Sequence, residues 1–205
     1  GIDGIAGLIR TKFQHHYRDV GLLFAGSQPT LMLNMFTDRS MPFYAQADLI
    51  EIEAFDAPTV HAVVREGFAS TDRDAGSAGR LIAEFAGGHP HRTMQLADAA
   101  WETVARGDSF EERDWSGVVR QVADRSRLGL EALFSGRPSS AQSVLRLLAD
   151  GESLFGVAAA HLGLSSSSAY RARDQLVDAG DLRRVGDRFE IVDPVFADWI
   201  RVRFP

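Results

Sequence analysis

The segment Phe85–Trp101 reads FAGGHPHRTMQLADAAW, and its reading decides the fold. Upstream, Leu81, Ile82 and Phe85 share one face of a helix that must stop at Gly87-Gly88, because glycine tolerates the left-handed turn that ends a helix. Pro90 then sits where a first helical turn accepts proline, since the missing N–H would have no partner there. A second helix follows, with Met94, Ala97, Ala100, Trp101 and Val104 at helical spacing. Two helices therefore meet at a corner that presents the N-terminus of the second. A helix N-terminus favours an anion. The residues alone leave two readings open, a purely structural corner and an anion-binding one.

Working outward, the run GGHPHR is preceded by FAGS at Phe24–Ser27 and followed by DPVFADWIR at Asp193–Arg201. Taken in this order, the three runs resemble the archaeal-type ATPase family, AAA+/STAND-like P-loop ATPases that also occur in bacteria. The resemblance spans nearly the whole chain but only the back part of the family. No G-x-x-x-x-G-K-[ST] phosphate-binding loop is present, and Lys12 is not followed by Ser or Thr in a glycine loop. No acidic pair after an apolar strand is present to hold magnesium, and Asp3 stands alone.

Composition fits this picture without demanding it. The 205 residues are 45% hydrophobic and 24% charged, as in an ordinary globular protein. The length suffices for two or three small units. The absence of cysteine excludes disulfides, thiol catalysis and cysteine metal sites. No apolar run approaches the roughly 20 residues of a membrane span, and no secretory signal pattern is found, so a cytoplasmic location without membrane contact is expected. The net charge is −6, and residues 141–205 hold eight arginines against nine acids. A dedicated nucleic-acid binder is usually more basic.

The front of the chain reads as part of an α/β core. Gly1–Tyr17 is expected to be a helix, with Ile5, Leu8, Ile9 and Phe13 on one face. His15 and His16 are adjacent and do not share a helix face, so no metal site is assigned to them. Val20–Ala25 is a continuous apolar run that suits a buried parallel strand, and Leu49–Phe55 alternates as a half-buried strand does. Leu31–Phe36 is a short helix between them. Two strands make a marginal sheet with an open edge, so the partner strands are expected upstream, in a longer protein or a bound fragment. Ser27 follows the first strand, where ligands bind in open α/β sheets, and A-G-S-Q-P is not a nucleophile elbow. The resemblance implies the sensor-1 position for Ser27, beside the γ-phosphate, against a plain turn serine. It also implies an arginine finger near Thr37–Ser40, for which Arg39 is the candidate, against a solvated loop arginine.

Residues 57–136 read as a helical lid and a linker helix, with Ala57–Arg106 as a small helical bundle. Pro58 opens a helix with Val60, Val63, Val64 and Phe68 on one face, the GGHP corner follows, and Trp115–Phe134 forms a linking helix. The resemblance implies a lid over a nucleotide, with Gly88 and Pro90 on the adenosine side and Arg92 meeting phosphate as a sensor-2 arginine. His89 and His91 flank Pro90, but no third ligand accompanies them, and no metal is expected.

Gly136-Arg137-Pro138-Ser139-Ser140 marks a boundary. Beyond it, residues 141–205 read as a winged helix without help from the family: a helix around Val144–Leu148, a second over Leu154–Leu162, a turn at Gly163–Ser165, a third over Ser166–Ala179, and a hairpin turned at Gly186-Asp187. Asp193-Pro194 starts a final helix. Ser167, Ser168, Arg171, Arg173 and Gln175 on the third helix, and Arg183, Arg184 and Arg188 on the hairpin, are candidates for DNA phosphates and base edges. Asp174, Asp178, Asp181 and Asp187 oppose them, and winged helices also bind proteins.

The expected fold is mainly α with a small α/β portion: residues 1–56 as the end of a nucleotide-binding core, 57–136 as lid and linker, 141–205 as winged helix. The expected function is the sensor and lid portion of an ATP-binding ATPase, coupling nucleotide state to duplex DNA or a protein, and not catalytic alone. ATP or ADP with magnesium belongs to the full-length protein, and none is expected to bind tightly to this chain alone. The partners expected are the P-loop segment, DNA or protein at the winged helix, and further copies in an oligomer. The alternative is a DNA-binding transcription regulator of the winged-helix type.

Overall fold

The computed structural model describes residues 2–204 except 14, 15, 17, 18, 27, 28 and 51. Two compact units divide the chain, Gly1–Ile52 and Glu53–Pro205.

The first unit holds helices α1 (Ile2–Phe13) and α2 (Pro29–Thr37). Its core is small: Ala6, Phe36 and Phe43, with Phe24 packed edge-on to Phe36 and tilted against Phe43. The Arg10 guanidinium donates to the carbonyl of Pro42. The strands expected at Val20–Ala25 and Leu49–Phe55 do not form: no described residue in either run belongs to a ladder. A strand exists through its partner's hydrogen bonds, and none of the described residues supplies that partner. Leu23, Ile50 and Ile52 are 91%, 83% and 89% exposed, so the side chains that were to be covered by a sheet face outward.

In the second unit, α3 (Ala57–Ala69) begins where Asp56 Oδ1 accepts from the Thr59 N–H at 2.8 Å. Val60, Val64 and Phe68 form its buried stripe. α4 (Ala78–Ala86) buries Leu81 and Ile82 against α3 and ends at Gly87 in the left-handed conformation. α5 (Pro90–Thr103) buries Leu96, Ala97, Ala99 and Ala100. Met94, expected on this inner face, is 51% exposed. The buried face keeps Ala97 and Ala100 and also takes in Thr93 and Leu96, each one residue before an expected position. A 3-10 turn (Glu112–Asp114) leads into α6 (Trp115–Ser135), which packs along α5 with Val118, Val122, Leu130 and Phe134 inward.

α7 (Ser139–Ala149), α8 (Val157–His161) and α9 (Ser166–Asp178) follow, then β1 (Leu182–Val185) paired antiparallel with β2 (Arg188–Ile191), Leu182 opposite Ile191. α8 is shorter than the expected Leu154–Leu162 because Gly156, at φ +138°, interrupts the approach to it. α9 starts on a Ser165 cap, whose Oγ accepts from the Ser168 N–H. The chain is thus mainly α with a small β portion, and that β portion is the hairpin.

α10 (Pro194–Arg203) closes the unit. It packs on α7, α6 and α4, with Phe196 and Ile200 fully buried. Phe134 of α6 stacks on Phe204 at 4.7 Å between ring centroids and meets Trp199 edge-on at 5.9 Å. One continuous apolar core runs from Val60 to Ile200. Of the Gly136–Ser140 segment, residues 136–138 link α6 to α7 within one core, and Ser139 and Ser140 open α7. No described helix is long and apolar enough to cross a membrane.

Candidate functional site

The site grows out of the two glycines that end α4. Gly87 and Gly88 have φ of +53° and +76°, and Gly88 is buried. The backbone of Phe55 lies directly against Gly88: the Phe55 N–H donates to the Gly88 carbonyl at 2.9 Å, and a Cβ on Gly88 would fall 1.9 Å from the Phe55 oxygen. The turn is thus left-handed and leaves no room for a side chain at Gly88. It then delivers His89 as the cap of α5. His89 Nδ1 accepts from the Arg92 N–H at 3.4 Å, and the His89 carbonyl accepts from Thr93 at 2.8 Å. Burial pushes the His89 imidazole below the usual histidine value, and the nearby Asp193 carboxylate opposes that shift. The neutral ring is the form the cap needs, since only an unprotonated Nδ1 accepts.

Arg92 leaves this corner inward. Only 8% of its side chain is exposed. Its Nε lies 2.9 Å from Asp193 Oδ1, and its Nη2 lies 2.6 Å from Asp193 Oδ2. Nη1 donates to Gln95 Oε1 at 2.6 Å and to Ser126 Oγ at 2.9 Å. One guanidinium therefore ties together α5, α6 and the start of α10. Asp193 has a second duty: its Oδ1 accepts from the Val195 and Phe196 N–H groups at 3.0 and 3.2 Å and so caps α10. A bidentate arginine–carboxylate pair is the strongest geometry such a contact offers. The two runs GGHPHR and DPVFADWIR, 101 residues apart, are held together by this pair. Beside it lies an open depression of about 370 Å³, with His91 and Arg125 among the residues that line it and Gly129 and Leu133 on its apolar side.

The residues expected to touch nucleotide are therefore placed as follows. Gly88 is filled by the Phe55 backbone, which leaves no space for a base against it. Pro90 is exposed at the first turn of α5. Arg92, expected to meet phosphate, is bound to Asp193. Arg39 is exposed in the turn after α2, and Ser27 lies outside the described residues. Among the described residues no group of three or more histidines and carboxylates is placed to hold a metal ion.

The candidate DNA contacts fall into two sets. Arg173 is only 20% exposed and lies between the rings of Tyr170 and Phe189, 4.9 and 4.7 Å from their centroids, while its guanidinium bonds Asp174. Arg183 pairs across the hairpin with Glu190 at 3.3 Å, and its Nη2 would lie 3.9 Å from a Cβ on Gly87. Arg184 bonds the Gly186 carbonyl and sits 3.5 Å from Asp187. Ser168 is half-buried and bonds Ser165. Arg171, Gln175 and Arg188 are exposed, and among the described residues no ion pair engages either arginine. Ser167 is exposed and 3.2 Å from Ser165 Oγ. These four could face a partner; the other four are engaged within the fold.

Sequence reasoning missed Asp193, Gln95 and Ser126 as partners of Arg92. The Asp193-Pro194 pair announces a helix cap, but nothing local to it points to an arginine on another helix.

No protein-family model matches the chain, and no curated protein matches it. Among solved structures, the Walker-type ATPase PABY2304 of Pyrococcus abyssi is similar, with a TM-score of 0.75 at 17% sequence identity. The similarity covers 98% of this chain and 58% of that one, so the chain spans rather more than half the length of the protein it resembles.

Proposed function

We propose that this chain is the sensor and lid portion of a P-loop ATPase, and that it couples nucleotide state to a DNA or protein partner through residues 141–205, read as a winged helix. The observation that carries the reading is the Arg92–Asp193 pair, which joins the GGHPHR corner of the helical bundle to the helix that closes the C-terminal module. Such a joint is what a lid needs if its movement is to reach that module. The likeness of fold to a Walker-type ATPase, over nearly all of this chain and part of the other, supports the same reading.

In this reading the P-loop, the magnesium ligands and the missing strands come from the remainder of the ATPase. Magnesium–ATP would supply the phosphoryl chemistry there. This chain contributes Ser27 and Arg39 at the phosphate end and Pro90 and Arg92 from the lid, with Gly88 shaping the corner that presents them, and assembly with further copies would bring Arg39 to a neighbour's nucleotide. The test is ATP hydrolysis by the chain alone and by the chain joined to a segment carrying the G-x-x-x-x-G-K-[ST] loop. Turnover only in the joined protein, reduced by Arg39→Ala, is expected. Robust turnover by the homogeneous chain alone would overturn the reading.

A DNA-binding regulator remains the second reading, favoured by the exposed Arg171, Gln175 and Arg188 on α9 and the hairpin. The internal pairing of Arg173, Arg183 and Arg184 argues for a protein partner instead, because phosphate neutralisation carries much of the affinity for DNA.

A further inference from the structure

We propose that Asp193 is an internal competitor for Arg92, so that the Arg92–Asp193 pair is a latch which a phosphate-class anion opens to loosen α10. The proposal rests on the nucleotide reading above for its biological ligand, but its geometry stands on this chain. It starts from a disagreement: the arginine implied to read phosphate already holds a carboxylate in bidentate fashion. A carboxylate and a phosphate present the same pair of acceptor oxygens to a guanidinium edge, and with Nη1 taken by Gln95 and Ser126 the two compete for the Nε–Nη2 edge that Asp193 holds.

Three features make the pair a device and not only a brace. First, the open depression lined by His91, Arg92, Gln95, Arg125, Ser126 and Asp193 gives an outside anion a route to the pair, and it carries three cationic or titratable donors around one acid. Arg125 at its rim is itself half exposed and paired with Glu102 and Asp98, so it can follow an anion without leaving a buried charge behind. Second, Gln95 and Ser126 hold Nη1 independently of Asp193. They would keep the guanidinium in place when the carboxylate leaves. Third, Asp193 is also the cap of α10, with the Val195 and Phe196 N–H groups on the same oxygen that takes Arg92 Nε. Removing Arg92 leaves a largely buried carboxylate whose remaining hydrogen-bond partners among the described residues are those two N–H groups. The first turn of α10 is then the place where the change is felt. From there Phe196, Trp199 and Phe204 carry it to α6 and α7.

The experiment is a titration of the chain with inorganic pyrophosphate, read by hydrogen exchange of the Val195–Ile200 amides and by Trp199 environment in a variant whose other tryptophans are replaced. Wild-type protein is expected to show faster exchange in α10 as pyrophosphate rises. Asp193→Asn keeps a capping oxygen and removes the charge, and it should bind pyrophosphate at least threefold more tightly. Arg92→Gln should bind at least tenfold more weakly, while Arg80→Gln, on an exposed surface pair, should match wild type. Equal pyrophosphate affinity in wild type and Asp193→Asn overturns the latch and leaves the nucleotide reading standing. Absence of binding in all variants also overturns the latch, and the nucleotide reading is then judged by hydrolysis in the joined protein. Should Asp193→Asn not fold, Asp193→Glu, which keeps the charge and shifts it by one methylene, must alter the affinity in turn.

Discussion

At the scale of single residues, the corner is determined by what Gly88 lacks and by what His89 accepts. A methyl group on Gly88 would meet the Phe55 carbonyl at 1.9 Å and would hold an L-residue at φ +76°. The left-handed conformation alone costs about 1–2 kcal/mol, and displacing backbone adds to that. Gly88→Ala should therefore destabilise the second unit by at least about 2 kcal/mol, measured by chemical denaturation, whereas Gly107→Ala meets only the conformational cost because nothing lies near it. His89 contributes a pH dependence of definite sign. Its folded form is lowered below the ordinary value of 6.5, mainly by burial, so the fold favours the neutral ring. The unfolded chain then binds more protons as pH falls through that value, and stability falls with it. The contribution is fully present above about pH 6.5 and is lost progressively below it, toward the folded value. His89→Asn keeps a capping acceptor and has no titration. Its melting temperature should decline less than that of wild type between pH 7.5 and 5; parallel declines would mean that other groups set the acid sensitivity.

At the scale of elements, the question is what holds α10. Buried rings pack it onto α6 and α7, and the Arg92–Asp193 pair ties its first turn to α5. Asp193→Ala removes a cap worth about 0.5–2 kcal/mol and leaves a buried guanidinium with a lost partner. Breaking a buried pair from one side costs about 3–5 kcal/mol, discounted here because a quarter of the Asp193 side chain is exposed. A loss of about 3 kcal/mol is expected by urea denaturation. Glu190→Ala, which breaks the exposed cross-strand pair with Arg183, should cost less than about 1 kcal/mol. Similar costs for the two would show that the network carries no special weight. Much of this level was readable in advance: Pro58, Gly87-Gly88, Pro90, Ser165 and Asp193-Pro194 each mark a helix end through local backbone chemistry. The pairing of Arg92 with Asp193 was not readable, because it is made by tertiary packing across 101 residues. The same holds for Arg173, which sequence offers as a DNA contact and packing places between two rings. α5 misled the pattern for another reason. A helix contacted by α4 and α6 buries a broad face, and a narrow stripe drawn through Met94 cannot represent it.

At the scale of the whole chain, the two units differ in how far each satisfies itself. The second has a continuous core from Val60 to Ile200. The first buries Ala6, Phe36 and Phe43 among its described residues and leaves Leu23, Ile50 and Ile52 almost fully outside. Sequence pattern marked these runs as strands because strand signals are local, but the ladder that makes a strand depends on a partner. This is also where the fold expected from sequence and the fold observed part company, since the helices needed only neighbours that the chain itself supplies. The consequence is a difference in local stability. In the chain alone, residues 20–26 and 48–54 should exchange amide hydrogens close to the unprotected rate and be the first sites cut by a nonspecific protease, while α3–α6 exchange orders of magnitude more slowly. Addition of a segment carrying the P-loop and its strands should slow exchange in both runs together, because a new ladder protects backbone N–H groups on every strand it joins. Protection of residues 20–26 in the chain alone, equal to that of α3, would mean that the first unit completes its own sheet in solution. Protection that appears in 48–54 but not in 20–26 would place the added strand beside one run only, and would separate the edge of the assembled sheet from its interior.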